Sequence, residues 1–122
     1  MANHETIMIH IHGGGFVSLS SFSMQNHTRK WAKDLGIPIF SIDYRLSPQS
    51  VFPDALDDCK NVYLFLINHI FKYINVKPKR IILSGDSAGG NLCLCLTALL
   101  MKRNINPLPY GLFLAYPATD FR

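Results

Sequence analysis

A serine flanked by glycines lies between two segments of different periodicity, and this junction constrains the fold more than any other part of the chain. The segment before it, Lys79–Ser84, is rich in aliphatic and β-branched residues, which is typical of a strand. The segment after it, Asn91–Arg103, has apolar residues at helical spacing. Ser87 is therefore predicted on a sharp strand-to-helix turn. Gly85 and Gly89 leave room there for a tight, strained backbone and for close packing of the helix on the strand.

The rest of the chain repeats this alternation of strands and helices. The predicted strands are Thr6–Ile11, Ile37–Asp43, Arg80–Ser84 and Tyr110–Tyr116. The predicted helices run from about Ser21 to Leu35, from Pro53 to Ile74 and from Asn91 to Arg103. Strands that alternate with helices form parallel sheets covered by helices on both faces. The sequence therefore predicts an α/β fold, and no repeat or linker divides its 122 residues into two domains.

Composition and charge exclude several classes of protein. No stretch reaches the ~20 apolar residues that a membrane helix needs, and the first residues lack the pattern of a signal peptide. The net charge of +4 arises largely near the ends of predicted helices, where cations complement the helix dipole, so we expect no nucleic-acid partner. Cys59, Cys93 and Cys95 have neither disulfide nor metal spacing. They are interpreted as small apolar residues in a reducing compartment, which favours the cytoplasm.

Acyl transfer needs a nucleophile, a base, an orienting acid and donors for the oxyanion, and the residues around the turn supply candidates for the nucleophile and the donors. Ser87 supplies the nucleophile, and the backbone N–H of Ala88, at the start of a helix, points toward the developing oxyanion. A glycine loop, His12–Gly15, follows the first predicted strand. Because glycines let the backbone approach a carbonyl closely, Gly13, Gly14 and Gly15 make this loop the candidate second source of donors.

Several neighbouring residues allow more than one interpretation. His12 either acts as a base or, as we favour, orients the glycine loop through a hydrogen bond. Asp86 is interpreted as a carboxylate that anchors the loop rather than as the catalytic acid. Asp43–Arg45 is expected to form a buried polar cluster under the loop. Phe16 and Trp31 are candidates to line an acyl site, although Trp31 is better explained as core.

Other chemistries fit the motifs less well. A triple glycine after a strand can bind phosphate, but no Gly-Lys-Ser/Thr follows it here. Gly-Asp-Ser also occurs in trypsin-like proteases, but those are all-β, whereas a helix follows Ser87. His10 and His12 resemble a metal-binding pair on one strand face, but no third ligand is evident, so we expect no metal.

Five segments together resemble the hormone-sensitive lipase family of serine esterases. They are His12–Phe16, Asp43–Pro48, Phe52–Asp58, Gly85–Leu92 and Tyr116–Asp120. The resemblance implies the α/β-hydrolase fold, Ser87 as nucleophile, and the amides of Gly13, Gly14 and Ala88 as the oxyanion hole. It also implies small-molecule ester substrates such as acylglycerols or sterol esters, no cofactor, and at most transient contact with a lipid surface.

The sequence departs from the family in one respect. In α/β-hydrolases the acid and then the histidine follow the serine, whereas all five histidines here precede Ser87 and the only later acid is Asp120. The family pattern assigns Asp120 to a strand-end segment rather than to the triad. We therefore expect residues 1–122 to be the central part of a larger catalytic domain, without its N-terminal cap and without the triad acid and histidine, and to show negligible turnover alone.

Two other readings stay open. One is a non-catalytic ligand-binding protein on the same fold; the plant gibberellin receptor resembles this family, keeps the elbow serine and lacks the working histidine. The other is a degenerate gene product that does not fold alone. The sequence encoded after Arg122 distinguishes them, because an acid and a histidine at triad spacing would support the enzyme.

Overall fold

A computed structural model describes residues 5–16, 19–75 and 77–117 of the chain. Its strands are β1 (Thr6–Ile11), β2 (Ile39–Ile42), β3 (Arg80–Asp86) and β4 (Gly111–Ala115). Its helices are α1 (Gln25–Leu35), which follows a 3₁₀ turn at Ser21–Met24, then α2 (Asp54–His69), α3 (Phe71–Ile74) and α4 (Ala88–Lys102). The predicted alternation of strands and helices is confirmed.

The four strands form one parallel sheet in the order β2-β1-β3-β4. The strands β1 and β3 are central neighbours, and their register places His10 opposite Ser84 and Ile11 opposite Gly85. The carboxyl ends of parallel strands meet at one edge of a sheet. The loop that leaves β1 and the turn that leaves β3 therefore begin side by side.

The two faces of the sheet are covered differently. On the first, called here the α2/α4 face, the odd-numbered residues of β1 and β3 pack with residues of α2 and α4 into an apolar core. This core includes Ile7, Ile9, Ile11, Ile81, Leu83, Cys59, Tyr63, Leu66, Leu92, Cys93 and Leu96. Because side chains alternate along a strand, Met8 and His10 lie on the opposite face. There the His10 ring lies edge-on to Trp31 of α1, and Met8 and Trp31 line the same cavity. We call this opposite face the α1 face.

Element boundaries differ from the predictions where local pattern and packing disagree. The helix α4 begins at Ala88 rather than Asn91, because its two glycines pack against the sheet despite their low helix propensity. The single helix predicted from Pro53 to Ile74 is divided, with α2 ending at His69 and α3 beginning at Phe71. Ile70, between them, keeps helical dihedral angles (φ −63°, ψ −26°), so the apolar periodicity continues across the break and conceals it.

Candidate active site

The turn between β3 and α4 holds Ser87 in a strained backbone conformation. Its φ of 50° and ψ of −116° are unusual for a residue with a side chain. The main chain is fixed on both sides: the Ser87 N–H donates to the Ala115 carbonyl of β4 (3.0 Å), and the Asn91 N–H donates to the Ser87 carbonyl (3.1 Å). Although Ser87 occupies the N-cap position of α4, its side chain makes no capping hydrogen bond. The half-buried hydroxyl is therefore not used to hold the helix.

Two glycines let α4 approach the sheet at this turn. A Cβ on Gly89 would collide with the Ile11 carbonyl oxygen and lie 2.6 Å from that of His12. A Cβ on Gly85 would lie 2.7 Å from the Gly89 main chain. The first turn of α4 therefore rests directly on the end of β1, and any larger residue at Gly89 would push the helix away.

The glycine loop, residues 12–15, contacts the turn at Asp86. A Cβ on Gly13 would lie 2.6 Å from Asp86 Oδ2 and 2.8 Å from the Asp86 carbonyl oxygen, so only glycine fits there. Gly14 and Gly15 have positive φ angles of 116° and 65°. The structure thus brings the glycine loop against the residue that directly precedes Ser87, and it places Ala88 at the first position of α4.

His12 and Tyr44 hold the glycine loop from below. The His12 Nδ1 atom lies 2.6 Å from the Gly13 carbonyl oxygen, and the Tyr44 hydroxyl donates to the His12 carbonyl oxygen at 2.7 Å. The two rings are stacked, with centroids 4.3 Å apart and planes 12° apart. Because a carbonyl oxygen only accepts, the proton of a neutral His12 ring belongs on Nδ1. His12 is buried and already engaged by the loop.

The buried polar cluster predicted for Asp43–Arg45 is wrong, because neighbouring residues of an extended segment point to opposite sides. Asp43 is exposed and accepts hydrogen bonds from the N–H and hydroxyl of Ser21, at 2.6 and 2.8 Å. Arg45 is exposed and pairs with Asp58 at 3.1 Å. Of the three predicted residues, Tyr44 alone reaches the glycine loop.

His10 is buried beside Asp86, a position that was not predicted from the sequence. The His10 Nδ1 atom lies 2.9 Å from Ser84 Oγ, and Nε2 lies 4.0 Å from Asp86 Oδ1. Neither Nε2 nor Oδ1 has a hydrogen-bond partner within the described residues. Burial lowers the pKa of His10, against the opposing influence of Asp86. The sequence signal that could have revealed this cluster is the alternation of side chains along the strands, since His10, Ser84 and Asp86 share one face of adjacent strands.

An apolar cavity of about 180 Å³ lies beside the first turn of α4. Its lining consists of Phe16, Arg45, Ser47, Ser50, Val51, Phe52, Ala55, Asn91 and Leu92. Phe16 therefore lines an apolar cavity, as predicted, but Ser87 is not among the residues that line it. Trp31 lies instead on the α1 face, half-buried and edge-on to His10, so its assignment to the core holds only in part.

Two further expectations concern the described residues as a whole. Among residues 5–16, 19–75 and 77–117, no group of three histidine, cysteine or acidic side chains is arranged to hold a metal ion. Within the same ranges no helix has the length and apolar character required to cross a bilayer. Asp120 lies outside the described residues.

Comparison with known proteins places this geometry in a family. The model of the alpha/beta hydrolase fold family matches residues 8–122. The chain belongs to the alpha/beta hydrolase fold family. Hormone-sensitive lipase of Mus musculus is 42% identical over 116 residues, which is 95% of this chain and 15% of the lipase. Lipase 2 of a Moraxella species is 36% identical over 104 residues, which is 85% of this chain and 23% of that lipase.

A solved structure supports the same assignment. Carboxyl esterase 2 of the fungus Tuber melanosporum superposes with a TM-score of 0.87 at 32% identity, covering 93% of this chain and 37% of the esterase. The predicted α/β-hydrolase fold and the resemblance to hormone-sensitive lipases are therefore confirmed. The chain spans 15% of the length of the mouse lipase.

Proposed function

We propose that Ser87 is the nucleophile of a carboxylic ester hydrolase that acts through an acyl-serine intermediate. The observation that carries the proposal is the position of the Ser87 hydroxyl. It is free of any capping role on a strained turn, next to a glycine loop that contacts Asp86. The similarity to lipases and esterases supports the same reaction class.

In the proposed reaction, Ser87 Oγ attacks the ester carbonyl carbon while its proton passes to a base. The N–H groups of Ala88, Gly13 and Gly14 donate hydrogen bonds to the carbonyl oxygen and stabilise the negative charge that develops there. The tetrahedral intermediate then expels the alcohol, which takes the proton from the base. Water attacks the acyl-serine in the same manner and releases the acid. The reaction needs no cofactor, because the nucleophile, proton transfer and charge stabilisation all come from protein groups.

The proposal assigns the nucleophile and the oxyanion donors to these 122 residues, as the central part of a catalytic domain. The base and its orienting acid are assigned to chain beyond Arg122, because every histidine in the sequence precedes Ser87. His10 and His12 are already bonded to Ser84 and to the glycine loop. The largely apolar lining of the cavity beside α4 favours an apolar ester over a charged one. Acylglycerols or sterol esters as substrates, and a cytoplasmic location, are proposed from the similarity to hormone-sensitive lipase.

A fluorophosphonate probe tests the assignment of the nucleophile. The protein at its natural length is expected to hydrolyse p-nitrophenyl butyrate and to be labelled on the peptide that contains Ser87. Ser87→Ala is expected to abolish both. Thr97→Ala removes a hydroxyl that donates to the Cys93 carbonyl within the same helix, about 15 Å from the turn, and should change neither. Labelling that survives Ser87→Ala would refute the assignment.

A second candidate function, ligand binding without hydrolysis, is favoured by one observation: the apolar cavity beside α4 is lined without any contribution from Ser87. A binding protein would hold an ester in the cavity without turning it over. Binding of a non-hydrolysable ester analogue in calorimetry, combined with a failure of the fluorophosphonate probe to label Ser87, would support this candidate over the hydrolase. The isolated 122 residues are expected to show negligible turnover under either candidate.

A further inference from the structure

We propose that Tyr44 is a positioning residue that aims the backbone donors of the glycine loop at the substrate carbonyl. The inference rests on the proposed function of that loop as an oxyanion hole. Tyr44 reaches the loop by two contacts: its hydroxyl bonds the His12 carbonyl oxygen, and its ring stacks on the His12 ring. It touches no reacting atom, and its effect is transmitted through the main chain.

The hydroxyl of Tyr44 sets the direction of the Gly13 N–H. A trans peptide unit is planar, with its C=O and N–H on opposite sides. The His12 carbonyl and the Gly13 N–H belong to one such unit. The phenol donates to the carbonyl oxygen at 2.7 Å, so the Gly13 N–H must point away from Tyr44. Without the hydroxyl, this unit can rotate about a glycine that has no side chain to restrain it.

The ring of Tyr44 sets the direction of the Gly14 N–H through His12. The Gly13 carbonyl and the Gly14 N–H share the next peptide unit, and the His12 Nδ1 atom holds that carbonyl oxygen at 2.6 Å. The His12 ring is held by its stack on Tyr44, with centroids 4.3 Å apart. One buried side chain thus restrains both candidate donor peptides. The hydroxyl of Tyr44 restrains the peptide of the Gly13 N–H, and its ring restrains the peptide of the Gly14 N–H through His12.

The surroundings of Tyr44 keep it in this role. The residue is 3% exposed, so bulk water has little access to its hydroxyl. Burial raises the pKa of Tyr44, so the phenol remains a donor throughout the physiological range. By contrast, the flanking residues Asp43 and Arg45 are exposed and bond to other segments.

The chain supplies a matched control in Tyr63. This residue of α2 is also buried, and its hydroxyl donates to a main-chain carbonyl, that of Pro107 at 2.5 Å. Pro107 precedes β4 and therefore lies at the amino edge of the sheet, opposite the edge where Ser87 lies. Tyr44→Phe and Tyr63→Phe each remove one buried hydroxyl that donates to a carbonyl. Only the first acts on the glycine loop.

The experiment measures kcat and KM for p-nitrophenyl butyrate, expressed per folded molecule, together with the rate of fluorophosphonate labelling, in the protein at its natural length. Tyr44→Phe is expected to lower kcat and the labelling rate about tenfold with KM unchanged, less than the 10²–10³-fold loss that follows removal of a donor. Tyr63→Phe is expected to keep kcat within twofold of wild type. Both should lower the melting temperature by similar amounts.

A purely structural role for Tyr44 would lower the melting temperature without a selective loss of kcat, and that result would overturn the inference. Replacing Tyr44 with 3-fluorotyrosine, which keeps the hydroxyl, is expected to restore kcat to within twofold of wild type. Equal losses in Tyr44→Phe and the fluorotyrosine protein would also overturn it. Retained activity in Ser87→Ala would instead remove the proposed function and the inference together. Loss of activity in Ser87→Ala with an unaffected Tyr44→Phe would remove the inference alone.

Discussion

The two faces of the sheet come from the same strands but bury different chemistry. On the α2/α4 face, Ile9 and Leu83 are fully buried in one apolar cluster with side chains of α2 and α4. On the α1 face, the same strands bury His10 and Ser84, which bond to each other, with Asp86 at the end of β3. The α2/α4 face therefore holds the strained turn in place through buried apolar surface and close packing. The α1 face instead depends on single polar contacts.

This difference has consequences for how each face tolerates change. An apolar side chain loses part of a shared contact surface when it is shortened. A buried polar atom loses its one partner and keeps the full cost of desolvation. On the α2/α4 face, the loss of stability should therefore grow with the side-chain volume that a substitution removes. On the α1 face, it should grow with the number of buried polar atoms that a substitution leaves unpaired.

The largest effect is expected where the α2/α4 face meets the turn. Gly89→Ala places a Cβ against the Ile11 carbonyl oxygen, where main chain rather than a flexible side chain must move. We expect a loss of more than about 4 kcal/mol in the free energy of unfolding, or failure to fold. Gly111→Ala is the control, because a Cβ there meets nothing within 4 Å. Urea denaturation of both variants measures the difference, and equal midpoints would contradict the close approach of α4 to β1.

A shortened side chain in the apolar core should come next. Leu96, on α4, is fully buried, so Leu96→Ala is expected to cost about 2–5 kcal/mol in the free energy of unfolding. Leu35→Ala, at the end of α1, removes the same atoms from a residue that is 55% exposed and should cost much less. Urea denaturation again provides the measurement. Similar losses in both variants would mean that Leu96 is not part of a close-packed core.

The comparison of faces also explains what could be predicted from the sequence. The α2/α4 face was predictable because its residues follow simple periods: β1 was bounded correctly at Thr6–Ile11, and the apolar stripe of α2 pointed to the core. The turn and the glycine loop were predictable because their glycines form local motifs. Local motifs also contain the residues proposed as catalytic, which therefore stood out without a structure.

The contacts that support the site were less visible, because they join residues distant in sequence. The His10–Ser84 bond links residues 74 positions apart, and its existence depends on strand order and register. The placement of Tyr44 under the loop required knowledge of which side of an extended segment faces inward, and Asp43 and Arg45 were wrongly grouped with it. Periodicity could not determine either feature, since both depend on how separate elements are placed in space.

Removing the polar bond of the α1 face should have an intermediate effect. Ser84→Ala leaves the buried His10 Nδ1 without its partner, and we expect a loss of about 1–3 kcal/mol in the free energy of unfolding. Thr97→Ala, which removes a half-buried hydroxyl bonded within its own helix, should cost less. Urea denaturation at pH 8, where His10 is neutral, compares the two. A loss in Ser84→Ala no larger than that in Thr97→Ala would show that the bond contributes nothing.

The smallest effect concerns pH and belongs to the α1 face alone. Desolvation lowers the pKa of His10 in the folded protein; Asp86 opposes this, and His12 and His27 add to it. The unfolded chain therefore binds more protons between that lowered pKa and the ordinary value of about 6.5. Stability contributed by neutral His10 is complete above pH 6.5 and declines as the pH falls toward the folded pKa, by about 1.4 kcal/mol for each unit of lowering.

Unfolding free energies measured from pH 8 to pH 5 test this sign. His10→Gln is expected to be less stable than wild type at pH 8 but to lose less stability on acidification, because it has no proton to bind. If His10→Gln were as sensitive to acid as wild type, the α1 face would not depend on a neutral histidine. The contrast between the two faces would then reduce to their difference in apolar packing.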